Sequence, residues 1–375
     1  MKIYYEDSMP YAERFFSQWG ECQAFSGKTV TPAQIADAGM LFVRSTTKVN
    51  QALIGECKNL KFVATATAGF NHIDIEYLNQ RNIPYYVAAG CNSVSVAEYV
   101  VSCLCELARR YNWHLPDKTV GIVGAGQAGS ALARKLDALG MRYLLCDPPK
   151  LAEGDPRSFV DMDAIMQCDI ISLHVPLVTA GEHPTQHLFD AKRLAELNEN
   201  QLLINACRGE VLDNNALLAL YQQGAQRKVV LDVWENEPDI VYELIPYVDI
   251  ATAHIAGHSV EGKANGTEMV YQAAAKHFSL PNSISLQPML PQPEHAVIEL
   301  SNQPLDWSDL YAVVKKSYDV ALDDKTFRNK VVSATDFEYI RKNYAIRREF
   351  AALQVNAGNC ALSQAIYGLG FSAKP

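Results

Sequence analysis

Arg208, Glu237 and His254 each lie at or just beyond an apolar run in the middle of the chain, and their types could do chemistry together that none does alone. Arg208 stands in Ile204-Asn205-Ala206-Cys207-Arg208-Gly209, where a guanidinium after an apolar run offers a rigid fork that matches a carboxylate. Glu237 closes Asp232-Val233-Trp234-Glu235-Asn236-Glu237-Pro238, and His254 lies in Ala253-His254-Ile255-Ala256-Gly257. An imidazole exchanges a proton near neutral pH, and a carboxylate beside it orients the ring and favours its charged form. Singly, each residue is ambiguous: arginines cap strands at surfaces, and a lone histidine is more often a hydrogen-bonded core residue. In this order they supply an anion clamp, a base and a partner for the base. Oxidation of a 2-hydroxy acid at C2 needs those three roles.

Such an oxidation also needs a hydride acceptor, and a second motif provides for one. Gly124-Ala125-Gly126-Gln127-Ala128-Gly129 follows the apolar run 119–123 and opens a helical segment at Gln127. Gly124 permits a tight turn, Gly126 lets a pyrophosphate approach the backbone, and Gly129 lets helix and strand pack closely. The helix N-terminus then presents free N–H groups to the phosphates. Asp147 ends the next apolar run, 23 residues after Gly124, where a carboxylate accepts from both ribose hydroxyls and repels a 2′-phosphate. The expected cofactor is NAD, with Lys150 the one nearby charge that softens discrimination against NADP. Asp147 also reads as a turn residue before Pro148-Pro149.

Strands and helices must hold these groups. Apolar runs at 2–5, 40–43, 61–66 and 85–88 form one series, and runs at 119–123, 142–146, 169–174, 201–205, 229–233 and 249–253 form another. They are rich in Val, Ile and Leu with little alternation, as parallel strands covered on both faces are. Helical segments such as 127–139 and 216–223 lie between them, which predicts a doubly wound α/β architecture of Rossmann type. Long helices at 94–111 and 259–278 flank the second series and carry the chain between domains. The expected organisation is a discontinuous substrate domain (1–93 and 256–280), a dinucleotide domain (94–255), and a small C-terminal domain (286–375). Pro281, Pro288, Pro291 and Pro293 mark the linker, and helices are expected at 307–318 and 336–350.

With 375 residues, two or three domains are expected. A net charge of −9 argues against nucleic acid or an anionic membrane as main partner. The N-terminus lacks a signal-like apolar stretch and no run approaches a membrane span, so a cytoplasmic protein is expected. Nine cysteines without a CxxC pair read as buried thiols; no metal site is expected.

The glycine motif, His174-Val175-Pro176-Leu177, Asn205–Asp213, Asp232–Pro238 and Ala253–Gly257 together resemble the D-isomer-specific 2-hydroxyacid dehydrogenase family over roughly residues 1–280. The resemblance implies a flavodoxin-like substrate domain beside the dinucleotide domain. It makes Arg208 the group that binds the substrate carboxylate and carbonyl, and His254, paired with Glu237, the proton acceptor in oxidation. It sets His174, Ala206, Asp232 and Gly257 along the nicotinamide side of the cofactor.

Further segments, Val43–Asn50, Ala64–Gly69, Cys146–Pro149 and the C-terminal Phe337–Phe350, resemble the family members that oxidise 4-phospho-D-erythronate on the way to pyridoxal 5′-phosphate. That implies a phosphorylated substrate and a C-terminal domain that makes a homodimer. A C4 phosphate needs its own anion site, and Arg44, Ser45 and Thr67, with the backbone N–H groups of Ala68-Gly69, are suited to build one. Arg347 and Arg348 add cations if the C-terminal domain of a second copy closes over the site; otherwise they are a solvated helical face. His258 stands where those members carry tyrosine, and either side chain can donate to phosphate. The alternatives are a phosphoglycerate or glyoxylate/glycerate dehydrogenase of the same family, and a non-enzymatic NAD(H)-sensing corepressor on the same fold.

Overall fold

The computed structural model describes residues 1–293, 297–300, 305–358 and 361–373. Each apolar run expected as a strand contains one, and the chain divides into two compact units. The first is Met1–Asn92 with Ser259–Pro291; the second is Ser93–His258 with Gln292–Pro375.

In the first unit, β1 (Ile3–Glu6), β2 (Cys22–Phe25), β3 (Met40–Val43), β4 (Phe62–Thr65) and β5 (Tyr85–Val87) form a parallel sheet in the order β2-β1-β3-β4-β5. This is the flavodoxin-like order, with its switch point between β1 and β3. β1, β3 and β4 are buried throughout because helices cover both faces, so the sheet shows no polar alternation. On one face the helix Val260–Phe278 packs Ala264, Val270, Tyr271 and Ala274 against Phe15, Phe16, Phe42 and Phe62. β2 was not legible in the sequence: Cys22-Gln23-Ala24-Phe25 is a half-exposed edge strand with only Phe25 buried.

The second unit carries β6 (Thr119–Val123), β7 (Arg142–Cys146), β8 (Ile170–Leu173), β9 (Leu202–Asn205), β10 (Lys228–Leu231) and β11 (Ile250–Ala251). They pair in parallel in the order β11-β10-β9-β8-β6-β7. The order reverses between β6 and β8, which is where a doubly wound sheet opens its ligand crevice at the carboxyl ends of its strands.

The small C-terminal domain is present, and it packs with the dinucleotide unit. Residues 292–375 group with the dinucleotide unit, and 281–291 stay with the first. The C-terminal segment does have its own small parallel sheet, β12 (Val297–Glu299), β13 (Gln354–Asn356) and β14 (Ser372–Ala373), ordered β12-β13-β14. It shares one core with the long helix Ser93–Tyr111, in which Leu104, Leu107 and Ala108 meet Leu310, Val313, Phe350 and Ile366. That helix is apolar on more of its surface than one sheet can cover, so a second layer must bury the rest. The helix expected at 336–350 is Ala334–Lys342, after which 343–349 is irregular; the helix Val320–Lys330 was not anticipated.

Candidate active site

Gly124 takes φ +93°, and a Cβ there would come within 2.7 Å of the His174 backbone, so the turn after β6 fits closely against the end of β8. Gly126 is the N-cap of the helix Gln127–Ala138 with no side chain capping it, and space beside it is open. Open space and uncapped N–H groups at a helix start suit a pyrophosphate. The Asp147 carboxylate accepts from Ala125 N (2.8 Å) and caps the short helix after it through Lys150 N (3.2 Å), as the turn reading expects. Its half-buried oxygens stay beside the glycine turn, where a ribose is expected. Lys150 pairs with Glu153 at 3.9 Å. His174 is buried, its Nε2 2.8 Å from Ser172 Oγ and its Nδ1 without a partner; burial pushes it down to about 4, so the ring is neutral. Its main chain belongs to the glycine turn rather than to the loop around His254.

Gly209, next to Arg208, lies so close to the segment leading to Glu237 that any side chain there would collide with the Trp234 carbonyl. Arg208 is half-buried and donates to Cys207 O at 2.6 Å, while Asn205 Nδ2 holds the Arg208 carbonyl at 2.9 Å. Glu237 Oε2 lies 2.6 Å from His254 Nδ1, and Glu237 Oε1 accepts from Trp234 N at 2.9 Å. Burial alone would raise the Glu237 carboxyl. The His254 charge and hydrogen bond, with the Trp234 N–H and the charge of Arg341, outweigh it and hold the group below the usual carboxylate range. The pair is therefore anchored on the Nδ1 side, with the ring 29% exposed.

His254 has φ +55°, a strained conformation for a residue with a side chain. Asp232 holds it there. The Asp232 carboxylate accepts from Thr252 Oγ1 (2.7 Å), Ile255 N (2.8 Å) and Ala256 N (2.9 Å), and its carbonyl accepts from His254 N (2.6 Å). The residue expected along the nicotinamide is thus the hub of the histidine loop. Tyr99 Oη touches Thr252 Oγ1 at 2.7 Å and Trp234 Nε1 donates to Thr252 O at 2.9 Å. Ala206 is buried, Gly257 half-buried, and His258 packs edge-on to the Tyr344 ring at 6.2 Å.

The first unit gathers Arg44, Ser45 and Thr67 at the carboxyl ends of β3 and β4, next to the switch point of its sheet. Sequence reading missed what organises them. Glu6, buried at the end of β1, accepts from Ser8 Oγ and Thr46 Oγ1 on one oxygen and from Thr47 Oγ1 and Arg44 N on the other. Arg44 Nη1 donates to Ser8 O at 3.0 Å, and Ser45 is exposed. Thr67 Oγ1 donates to Gly69 O at 2.8 Å and meets Thr65 Oγ1 at 2.7 Å, with His72 Nε2 behind Thr65 at 2.8 Å.

Other residues surfaced only in three dimensions. His187 Nε2 lies 2.6 Å from Glu235 Oε1, whose second oxygen accepts from Asn214 N at 2.7 Å; this brackets the segment that carries Glu237. With Asp213 these groups lie within 4.8 Å of one another, but Asp213 caps the helix Asn214–Gln222 and the His–Glu pair satisfies itself. Arg347 is buried inside its own chain, which overturns a reach toward a second copy's site. Among the described residues eight cysteines are free, and no helix is long and apolar enough to cross a membrane.

Residues 103–256 match the model for the D-isomer specific 2-hydroxyacid dehydrogenase, NAD binding domain, and residues 289–370 match a domain of unknown function (DUF3410). The chain is 56% identical over its whole length to all of an erythronate-4-phosphate dehydrogenase from Pseudoalteromonas atlantica. It is 47% identical, over 99% of its length and all of the relative, to one from Colwellia psychrerythraea. An NAD+-bound 3-phosphoglycerate dehydrogenase of Entamoeba histolytica has the same fold with TM-score 0.63 and 22% identity, across 74% of this chain and 95% of that one. A D-lactate dehydrogenase from Aquifex aeolicus matches equally broadly at TM-score 0.58 and 20% identity. The chain belongs to the D-isomer specific 2-hydroxyacid dehydrogenase family, among its relatives named erythronate-4-phosphate dehydrogenase.

Proposed function

We propose that this chain oxidises 4-phospho-D-erythronate at C2 to its 2-oxo product, (R)-3-hydroxy-2-oxo-4-phosphooxybutanoate, with NAD as acceptor, as a step toward pyridoxal 5′-phosphate. The observation that carries the chemistry is the 2.6 Å contact between His254 Nδ1 and Glu237 Oε2. Full-length identity to relatives of that name supports the substrate.

Glu237 occupies Nδ1, which leaves His254 Nε2 as the atom that takes the proton from the C2 hydroxyl. Arg208 supplies a fixed planar cation for the substrate carboxylate. The two electrons of the C2–H bond leave as hydride while the hydroxyl proton passes to His254, and C2–O becomes a carbonyl. NAD, when bound, supplies the hydride acceptor. Gly124, Gly126, Gly129 and the start of the helix Gln127–Ala138 would hold its pyrophosphate, and Asp147 its ribose. Ala206, His174, Asp232 and Gly257 complete the proposed cofactor side, although Asp232 spends most of its accepting capacity on the histidine loop. The loop of Arg44 and Ser45, with Thr67, is the proposed place for the phosphate. Its position at the switch point of a flavodoxin-like sheet supports this, because such sheets bind ligands there.

The protein is proposed to act in the cytoplasm as a homodimer. Leu322, Val332, Tyr339 and Ile346 are all more than 60% exposed on the C-terminal segment, which supports a second copy as its partner. A panel of 4-phosphoerythronate, 3-phosphoglycerate, D-glycerate and D-lactate, each with NAD and NADP and followed by NADH or NADPH absorbance, tests the reading. Preference for 4-phosphoerythronate with NAD is the expected result, and a preference for another acid overturns the substrate. Arg208→Lys keeps the charge but loses the fork, so substrate engagement should weaken; equal kinetics would refute bidentate capture.

A further inference from the structure

The C-terminal segment meets the elements that carry the catalytic residues at three places. Asp324 Oδ1 accepts from Ala251 N at 2.7 Å, capping the edge strand that leads into the histidine loop. Phe327 stacks on Trp234, ring centroids 5.5 Å apart, beneath the segment that ends in Glu237. The third place is the most specific. Arg347, 5% exposed, donates from Nη2 to Ser95 O at 2.5 Å and to Ala256 O at 3.2 Å. Its guanidinium lies 4.0 Å over the Tyr318 ring.

A guanidinium is costly to bury, and this one leaves Nε and Nη1 without partners. The groups facing it are Tyr318, Tyr344, Glu98 and Asp323, all of which favour its charge. What the cation gains in return is a fixed grip on two carbonyls. Ser95 opens the helix Ser93–Tyr111, and Ala256 is the residue whose N–H is held by Asp232. Both sides of the Ala256 residue are therefore pinned, two positions after the strained His254.

We infer that Arg347 is a positioning residue for His254: it clamps the histidine loop against the long helix from the C-terminal segment of the same chain, and holds the imidazole where it can take the proton. The inference rests on His254 being the base. It makes the segment matched by the domain of unknown function a working part of the active centre in addition to its proposed role in self-association.

The test compares Arg347→Met, Arg347→Lys and a control, Lys135→Met, in the full-length protein. Lys135 is also a buried cation, donating to Glu98 of the long helix at 2.9 Å and to Leu369 O of the C-terminal segment at 2.6 Å, and neither bond reaches the histidine loop. Arg347→Met should lower kcat at least tenfold, displace the acidic limb of its pH profile and leave NAD affinity within about twofold. Arg347→Lys should recover part of kcat, since an ammonium can still donate to the two carbonyls. Lys135→Met should lower Tm without either kinetic effect. Amide exchange at Ile255 and Ala256 should accelerate at least tenfold in Arg347→Met and not in Lys135→Met. The inference is overturned if Arg347→Met keeps the wild-type kcat and pH profile, or if Lys135→Met reproduces its kinetics and exchange. Wild-type protein inactive on the whole hydroxy-acid panel would instead sink the functional reading; the exchange measurement still decides the clamp.

Discussion

Two loops in this molecule are built around a buried carboxylate at a strand end, and they differ in what the carboxylate grips. Asp232, just after β10, takes two backbone N–H groups and one hydroxyl from the histidine loop. Glu6, at the end of β1, takes three hydroxyls and one backbone N–H around the loop of Arg44 and Ser45. Burial is the largest influence on both. For Asp232 it exceeds the help from His254, Thr252 and the two amides, and the group is raised. For Glu6 the four donors exceed it, and the group is lowered. Gripping the main chain fixes a conformation as strained as that of His254. Gripping hydroxyls that are themselves loop side chains fixes the loop more gently, and takes Thr46 and Thr47 away from any ligand.

Variants that break each device sharpen the contrast. The largest loss belongs to the proposed base: His254→Ala should cost about 10²–10⁴-fold in kcat, with NAD affinity retained in fluorescence titration. Substantial turnover in that variant would remove His254 from the chemistry. Glu237→Gln should cost about 10²-fold in kcat, because the ring loses the acceptor that fixes its Nδ1 side. An unchanged kcat contradicts a working role for the pairing seen at Nδ1.

Asp232→Asn should come next, lowering kcat about tenfold and unfolding stability by about 1–3 kcal/mol, since an amide that accepts at only one atom must face three donors. Denaturant titration and kinetics with unchanged values would show that the loop holds itself. Glu6→Gln should have the smallest kinetic effect, a rise in KM for the phosphorylated acid with kcat nearly constant, and a stability loss of about 1–2 kcal/mol.

The two carboxylates also predict opposite pH dependences. Glu6, lowered in the folded state, contributes stability that is present above its unfolded value and is lost as pH falls through its folded one. Asp232, raised in the folded state, binds its proton more tightly there, so stability falls as pH rises from its unfolded toward its folded value. Denaturation curves across the acid range should flatten for Glu6→Gln on the low side and for Asp232→Asn above it.

Much of the site was legible because its signals are local. The glycine motif, the carboxylate ending β7, and the arginine, glutamate and histidine beyond β9, β10 and β11 all lie within a few residues of an apolar run. The His254–Glu237 contact follows once parallel strands put those ends side by side. The edge strand β2 was hidden because only one of its four side chains is buried. Helix 336–350 was overextended because the helix ends at Lys342, and the irregular stretch after Asn343 turns Arg347 and Glu349 inward.

By itself, then, the sequence determined the two parallel sheets, the glycine turn and the candidate pair His254 and Glu237, since hydrophobic runs and turn residues act over short separations. Only the tertiary structure decided that the C-terminal segment joins the dinucleotide unit, that Asp232 and Glu6 organise their loops, and that Arg347 reaches Ala256, 91 positions away. Those outcomes depend on which buried polar groups find partners across the fold. A lone Asp, Glu or Arg carries no mark of its partner until the apolar faces around it have packed.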